Sequence, residues 1–162
     1  MAEHHLSALR DLGDALAGLG LEIELLEPGD GLPVPALVVS RGDPPQHLSV
    51  SYVPIDEDAL FGVELVQLFG PLGVAATSDT RQEVAVLLAR LNATLPAGAF
   101  AISDEGQIVL RHLHPVRADE PLEHATIGAV VGLLLDAADS ERHTVAAVAL
   151  GELSAEEAMT SG

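Results

Sequence analysis

Three short apolar segments, separated only by turn residues, constrain this chain more than any other feature of its sequence. They are "PALVVSR" (35–41), "HLSVSYVPI" (47–55) and "FGVELVQLFGP" (61–71), joined by "GDPPQ" (42–46) and "DEDAL" (56–60). Runs of Val, Leu and aromatic residues between Gly, Pro and Asp clusters are typical of β-strands. Because parallel strands need a much longer crossover, connections this short predict an antiparallel meander.

Helical patterns flank these strands on both sides. Residues 4–19 place Leu at spacings of three and four, which forms one apolar stripe on an amphipathic helix. A second helix is expected within 77–98, where Thr80 and Glu83 have the spacing of a capping box. In such a box each side chain accepts a hydrogen bond from a free backbone N–H group at the helix start, so we expect this helix to begin at Thr80.

The last long helix is expected to begin at Asp119, which is a good N-cap residue, with Pro121 tolerated in the first turn. Its apolar residues continue to about Leu150, where Gly151 ends it. The polar segment 136–144 is a point at which this helix can break.

The order of these elements predicts an α+β fold with a twisted antiparallel sheet and the order α-β-β-β-α-β-β-α. Residues 21–26 alternate and form a short strand or a strand-like lead-in. Ser154 and Glu157 form a second, weaker capping box, which predicts a short tail helix over 154–160. We expect residues 1–162 to form one domain, since this length suffices for a single core.

The chain is strongly acidic, with a formal net charge of −18 from 25 acids against seven arginines. Such a surface repels nucleic-acid phosphates, and one Tyr, three Phe and no Trp offer few platforms for base stacking. We therefore predict no direct binding to DNA or RNA, and a preference for basic partners. With no Cys and no basic, apolar leader at its start, the protein is expected in the cytoplasm.

The stretch "ATIGAVVGLLLDAAD" (125–139) contains Gly128 and Gly132 in the Gly-x-x-x-Gly spacing. Its uncharged part spans roughly 17 Å as a helix, whereas a bilayer core needs about 30 Å, so no membrane span is expected. Each glycine inside a helix costs about 1 kcal/mol relative to alanine, which indicates a close approach. Either the protein's own sheet or first helix provides it, or a second subunit contacts Gly128, Val131, Gly132 and Leu135.

Residue types that support catalysis are scarce. The chain has no Cys, no Lys, no Gly-x-Ser-x-Gly nucleophile elbow and no phosphate-binding loop. The sequence therefore predicts no enzyme, no catalytic residue and no cofactor. The acids at 56–58 lack the Gly and the distal Glu of a calcium-binding EF-hand loop, and we interpret them as a solvated turn.

A β-hairpin is expected from "AFAIS" (99–103), the turn "DEGQ" (104–107) and "IVLRHLHPV" (108–116). His112 and His114 stand two apart on its second strand, so their side chains share one face and make half of a metal site. His124, Asp119 and Glu120 are near in sequence, but no spacing fixes their geometry. We expect exposed histidines that bind no metal. His4 and His5, near the N-terminus, are also expected in solvent.

Several of these segments resemble the YbjN-like family, whose fold is similar to that of class I type III secretion chaperones. The resemblance rests on "LVVSRG" (37–42), "LSVSYVPIDED" (48–58), "ELVQLFGPL" (64–72) and "LARLNATLPAGAFAISDEGQIVLRHLHP" (88–115). It implies a dimeric α+β protein that regulates or binds other proteins, and it brings no catalytic residues. The proline-rich stretch 28–35 departs from the secretion chaperones.

These observations predict a non-enzymatic, chaperone-like or regulatory module that acts as a homodimer on a protein client. The acidity favours a basic client, such as a nucleic-acid-binding protein. The alternative is a sensor of a small ligand or a metal that uses the histidines of the predicted hairpin. A deep pocket with converging polar groups would favour the sensor, and an apolar groove with an open strand edge would favour the binding module.

Overall fold

The computed structural model describes residues 2–29, 32–55 and 60–160. These ranges contain four helices and six strands, in the order α1 (Ala2–Ala17), β1 (Glu22–Leu26), β2 (Ala36–Arg41), β3 (Gln46–Tyr52), β4 (Val63–Ala75), α2 (Arg81–Asn92), β5 (Ala99–Ile102), β6 (Gln107–Arg117), α3 (His124–Ala149) and α4 (Ala155–Thr160). The predicted α+β class is therefore confirmed.

The six strands form one sheet in the order β1-β2-β3-β4-β6-β5, and every neighbouring pair is antiparallel. The predicted order of elements contained one strand too few before α2. The segment interpreted as a strand or a lead-in is strand β1, because Glu22 to Leu26 pair residue by residue with β2. The predicted meander and the predicted β5–β6 hairpin are both present.

The helices pack on one face of this sheet. Helix α1 contributes the buried Leu9, Leu12 and Leu16, and at Gly13 it approaches β2 so closely that an added Cβ atom would lie 3.0 Å from Leu37. Helix α3 crosses β3 and β4, and α2 packs against β5 and α3. Alternate strand residues, including Leu37, point toward these helices and complete the core.

Helix α2 begins where predicted, but the predicted capping box is wrong. The hydroxyl group of Thr80 donates a hydrogen bond to the carbonyl oxygen of Ala149 at 2.9 Å instead of capping α2. The carboxylate of Glu83 accepts from the backbone N–H of Ala155 at 2.9 Å. Both side chains therefore join α2 to the C-terminal part of the chain, which sequence spacing cannot reveal.

Helix α3 begins at His124, five residues later than predicted, because Asp119 and Glu120 pair with Arg117 at the end of β6. It then runs without a break to Ala149. Its end is a Schellman motif, in which the N–H groups of the two residues after Leu150 bond back to Val148 and Ala147. The required left-handed conformation is taken by Gly151, with φ 75°.

The predicted tail helix is present as α4. Its capping box is formed as expected: the backbone N–H of Ser154 donates to the Glu157 carboxylate at 2.8 Å, and the N–H of Glu157 donates to the Ser154 hydroxyl at 3.2 Å. Of the helices in the described parts of the chain, none is long and apolar enough to cross a membrane.

Candidate functional site

Helices α1, α2 and α3 pack on one face of the sheet and α4 packs on α2 and α3, whereas the other face carries no helix of the described residues. A row of side chains crosses all six strands on this second face, here called the bare face: Glu24, Val38, Ser49, Phe69, Arg111 and Ala99. Each is half-buried or exposed, whereas the alternate residues of the same strands are buried in the core. On this side, therefore, no second layer from the described parts of the chain covers the sheet.

The centre of the bare face is apolar. Strand β4 contributes Leu65 and Phe69, and β6 contributes Val109 and Leu113. Leu113 is 40% exposed. An antiparallel sheet with one face in water normally alternates apolar and polar residues, but on β4 the residues on either side of Gln67, Leu65 and Phe69, turn apolar side chains to the bare face. These side chains would gain from burial under a second layer.

Charges on the bare face lie toward its two sides. Glu22 and Glu24 are exposed on β1, the first strand of the sheet. Arg111 lies on β6, the fifth strand in spatial order, and its Nε atom donates to Gln67 at 3.1 Å. Farther along β6, Asp119 and Glu120 raise the pKa of Arg117. The face therefore has two glutamates on its β1 side and, toward the β5 side, one arginine, Arg111, with which no carboxylate of the described residues pairs.

A cavity of about 290 Å³ lies where β2 begins, β3 ends and β4 begins. Its walls are mostly apolar, and the segment before β2 contributes Pro33, Val34 and Pro35 to them. The other described lining residues are His5, Tyr52, Val53, Pro54, Ile55, Leu60, Val63, Glu64 and Leu65. Leu65 also belongs to the bare face, so the cavity adjoins that face.

Three polar side chains meet at one wall of the cavity. Nε2 of His5 donates to the carboxylate of Glu64 at 2.7 Å, and the two side chains are only 12% and 13% exposed. The His5 ring stacks on Tyr52 with ring centroids 3.9 Å apart. Burial, and secondarily the charge of Glu64, raises the pKa of Tyr52 to about 12. The phenol therefore stays protonated at neutral pH.

Sequence reasoning placed His5 in solvent, and this prediction is wrong. His5 stands four residues before Leu9 and seven before Leu12, so it continues the apolar stripe of α1. Glu64 likewise occupies the alternating face that holds Val66 and Leu68. In both cases the sequence contained a signal, namely a polar residue at a position that the period of the helix or strand assigns to an apolar face.

His112 and His114 share one face as predicted, with ring centroids 5.9 Å apart. They lie opposite Leu68 and Val66, so they point toward the helices and are half-buried, not exposed as expected. Burial, and then the charge of His114, lowers the pKa of His112. Within 2–29, 32–55 and 60–160, no three His, Asp or Glu side chains gather as a metal site; the predicted acidic turn at 56–58 lies outside the described residues.

The four residues proposed for a subunit contact on α3 have different surroundings. Val131 and Leu135 are buried in this chain's own core. A Cβ atom on Gly128 would lie 3.5 Å from Leu16 of α1, so this glycine faces the first helix at ordinary contact distance. A Cβ atom on Gly132 would meet nothing within 4 Å. Among the described residues, Gly132 is thus the member of the set at which an added Cβ atom would meet open space.

Comparison with known proteins finds a similar solved structure but no matching family. No family model and no curated protein matches this chain. Among solved structures, the chain is similar to YbjN from E. coli, which is described as a candidate transcription regulator. The two are 13% identical, the match covers 90% of this chain and 89% of that chain, and the TM-score is 0.41. This similarity assigns no function to the chain.

Proposed function

We propose that the protein is a non-enzymatic binding module that forms a homodimer through the bare face and takes a basic client segment. The observation that carries the proposal is an apolar patch of Leu65, Phe69 and Leu113 on the face of the sheet that no helix of the described residues covers. Burying the second face would remove Phe69, Leu65 and Leu113 from water, and apolar burial is the main favourable term in association.

A second copy of this chain suits the bare face because the face is complementary to itself. A two-fold axis parallel to the strands would place β1 of one subunit over the β5–β6 side of the other. Glu22 and Glu24 would then meet Arg111 of the second copy, and the reverse contact would occur at the other side. Isologous contacts of this kind are the commonest in homo-oligomers.

Two leucines with equal exposure allow a matched test. Leu113 on the bare face is 40% exposed, and Leu133 on the outer side of α3 is 41% exposed. We expect Leu113→Glu to convert a dimer into a monomer, because it puts a carboxylate into the apolar centre of the interface. Leu133→Glu should leave the dimer intact. Sedimentation equilibrium measures the mass, and circular dichroism checks that both variants fold.

The opposite result would be equally informative. If Leu133→Glu dissociates the dimer and Leu113→Glu does not, the subunit contact lies on α3 beside Gly132. A wild-type protein that stays monomeric at all concentrations contradicts the homodimer itself.

The client part of the proposal rests on charge and on open strand edges. Strands β1 and β5 end the sheet, and each pairs on one side only among the described residues; an extended peptide can add to such an edge. With a net charge of −18, the protein should select a Lys-rich strand. We expect a labelled peptide of alternating Val and Lys to bind in fluorescence anisotropy, and its Val-Glu counterpart not to bind. Equal binding of both peptides would contradict a basic client.

A further inference from the structure

We propose that the cavity beside His5 and Glu64 binds a small amphipathic amine, with its apolar body against the walls and its ammonium group at Glu64. This site adjoins the subunit contact proposed above, with which it shares Leu65, and the proposal goes beyond that contact. The inference rests on three observations: the size of the cavity, the composition of its walls and the sign of its charge.

The cavity has the dimensions of a small-ligand site. Its volume of about 290 Å³ falls at the lower end of the range of roughly 300–1,000 Å³ that ligand pockets occupy. The walls are formed by prolines and branched aliphatic side chains such as Val34, Ile55 and Leu65. An alkyl or aryl body of modest size would gain from leaving water for these walls.

Polar groups converge at one end only. Glu64 and His5 are largely buried and bonded to each other, and Tyr52 stacks on the imidazole. Because His5 bonds Oε1 of Glu64, the carboxylate has further lone pairs with which to accept from a ligand. A ligand without a hydrogen-bond donor would make no such hydrogen bond to the Glu64 carboxylate.

The charge of the lining selects the sign of the ligand. Among the described lining residues, Glu64 is the one acidic side chain, and no arginine is present. A carboxylate ligand would be repelled in a partly dry site, where charges interact more strongly than in water. An ammonium group would be attracted there, both by Glu64 and by the field of a chain with net charge −18.

Three probes share a chain of eight carbon atoms and differ in their polar group: octylamine, octanol and octanoate. Comparing their affinities separates the contribution of the apolar walls from that of the charge. Titration calorimetry measures their affinities. The fluorescence of Tyr52 reports on the site itself, since the chain has one Tyr and no Trp. We expect octylamine to bind about tenfold more tightly than octanol, and octanoate to bind most weakly. Failure of all three to bind, or equal binding of amine and alcohol, overturns the proposal.

Glu64→Gln keeps the shape of the side chain and removes its charge. We expect it to weaken octylamine about tenfold and to leave octanol unchanged, so that the two bind alike. Retention of the preference for the amine in this variant contradicts the assignment to Glu64.

A second variant covers the event that Glu64→Gln does not fold. Ile55→Lys places a cation on a lining residue that is already 39% exposed, and Val86→Lys adds the same charge at a 41% exposed position on α2. We expect Ile55→Lys to weaken octylamine severalfold and octanol much less, because octanol loses only part of an apolar wall whereas octylamine also meets a cation. Val86→Lys should affect neither. If the two variants weaken octylamine equally, the effect comes from the overall charge of the protein and not from a binding site at the cavity. The Leu113→Glu test of the dimer is independent of all these results.

Discussion

Along β4, the two faces of the sheet differ more in what covers them than in what they are made of. Leu68 and Phe69 are neighbours on β4, both large and apolar, yet Leu68 is fully buried under the helices and Phe69 lies half-buried on the bare face. Alternation along a strand assigns residues to opposite faces but does not say which layer will cover each face. An apolar side chain on the bare face is therefore available for association.

The largest effect is expected on the covered face. Leu68→Ala should lower the free energy of unfolding by about 2–5 kcal/mol, because it opens a cavity in a packed core. Leu113→Ala on the bare face should cost less than about 1 kcal/mol in the monomer, as exposed sites usually do. Urea unfolding at low protein concentration measures both. Equal losses would mean that the bare face is packed within the monomer.

The second prediction compares a phenol on each face. Tyr52 on the covered face should ionise near pH 12, because burial and Glu64 raise its pKa. The unfolded chain releases the phenol proton near pH 10, so this contribution to stability is complete below pH 10 and is lost as the pH rises toward 12. Tyrosinate absorbance is unambiguous because Tyr52 is the one tyrosine in the chain.

The control for that titration moves the phenol to the bare face. In the double variant Tyr52→Phe with Phe69→Tyr, measured at concentrations where the protein is monomeric, the new phenol should titrate close to its ordinary pKa of about 10. A late titration at position 69 in the monomer would mean that the bare face is not open to water.

A smaller effect is expected inside the helical layer. Glu83→Ala should cost roughly 1–2 kcal/mol, because it removes the charged acceptor of the Ala155 N–H group. Hydrogen exchange should show lost protection in α4 and unchanged protection at the start of α2. Gln82→Ala, at the exposed neighbouring position, is the control. Fraying of α2 instead would restore the capping box that the spacing of Thr80 and Glu83 predicts.

The smallest effect is expected on the outer side of the helical layer. Gly132→Ala should raise the free energy of unfolding by up to about 1 kcal/mol, because alanine is the better helix former and its Cβ atom would meet nothing within 4 Å. Thermal unfolding measures the change. A variant that is destabilised only at concentrations where the wild type is dimeric would place the subunit contact on α3.

Several parts of this structure follow from local sequence. The strands β2, β3 and β4 were predictable because short polar turns separate apolar runs, and turn chemistry acts within a few residues. The Ser154–Glu157 capping box is local in the same sense, and it forms as its spacing predicts. The Thr80–Glu83 spacing is equally good, but its side chains bond to Ala149 and Ala155, more than 65 residues away.

The sequence by itself determined the elements and their alternation, because the periods of strand and helix are fixed by backbone geometry. Tertiary structure alone decided what each face meets. It paired His5 with Glu64 across 59 residues, turned His112 toward the helices and, in the described parts of the chain, placed the helices on one side of the sheet only. Such contacts depend on how the layers stack. Because the hydrophobic effect is non-directional, an apolar pattern in the sequence predicts that a residue is buried but not which element covers it.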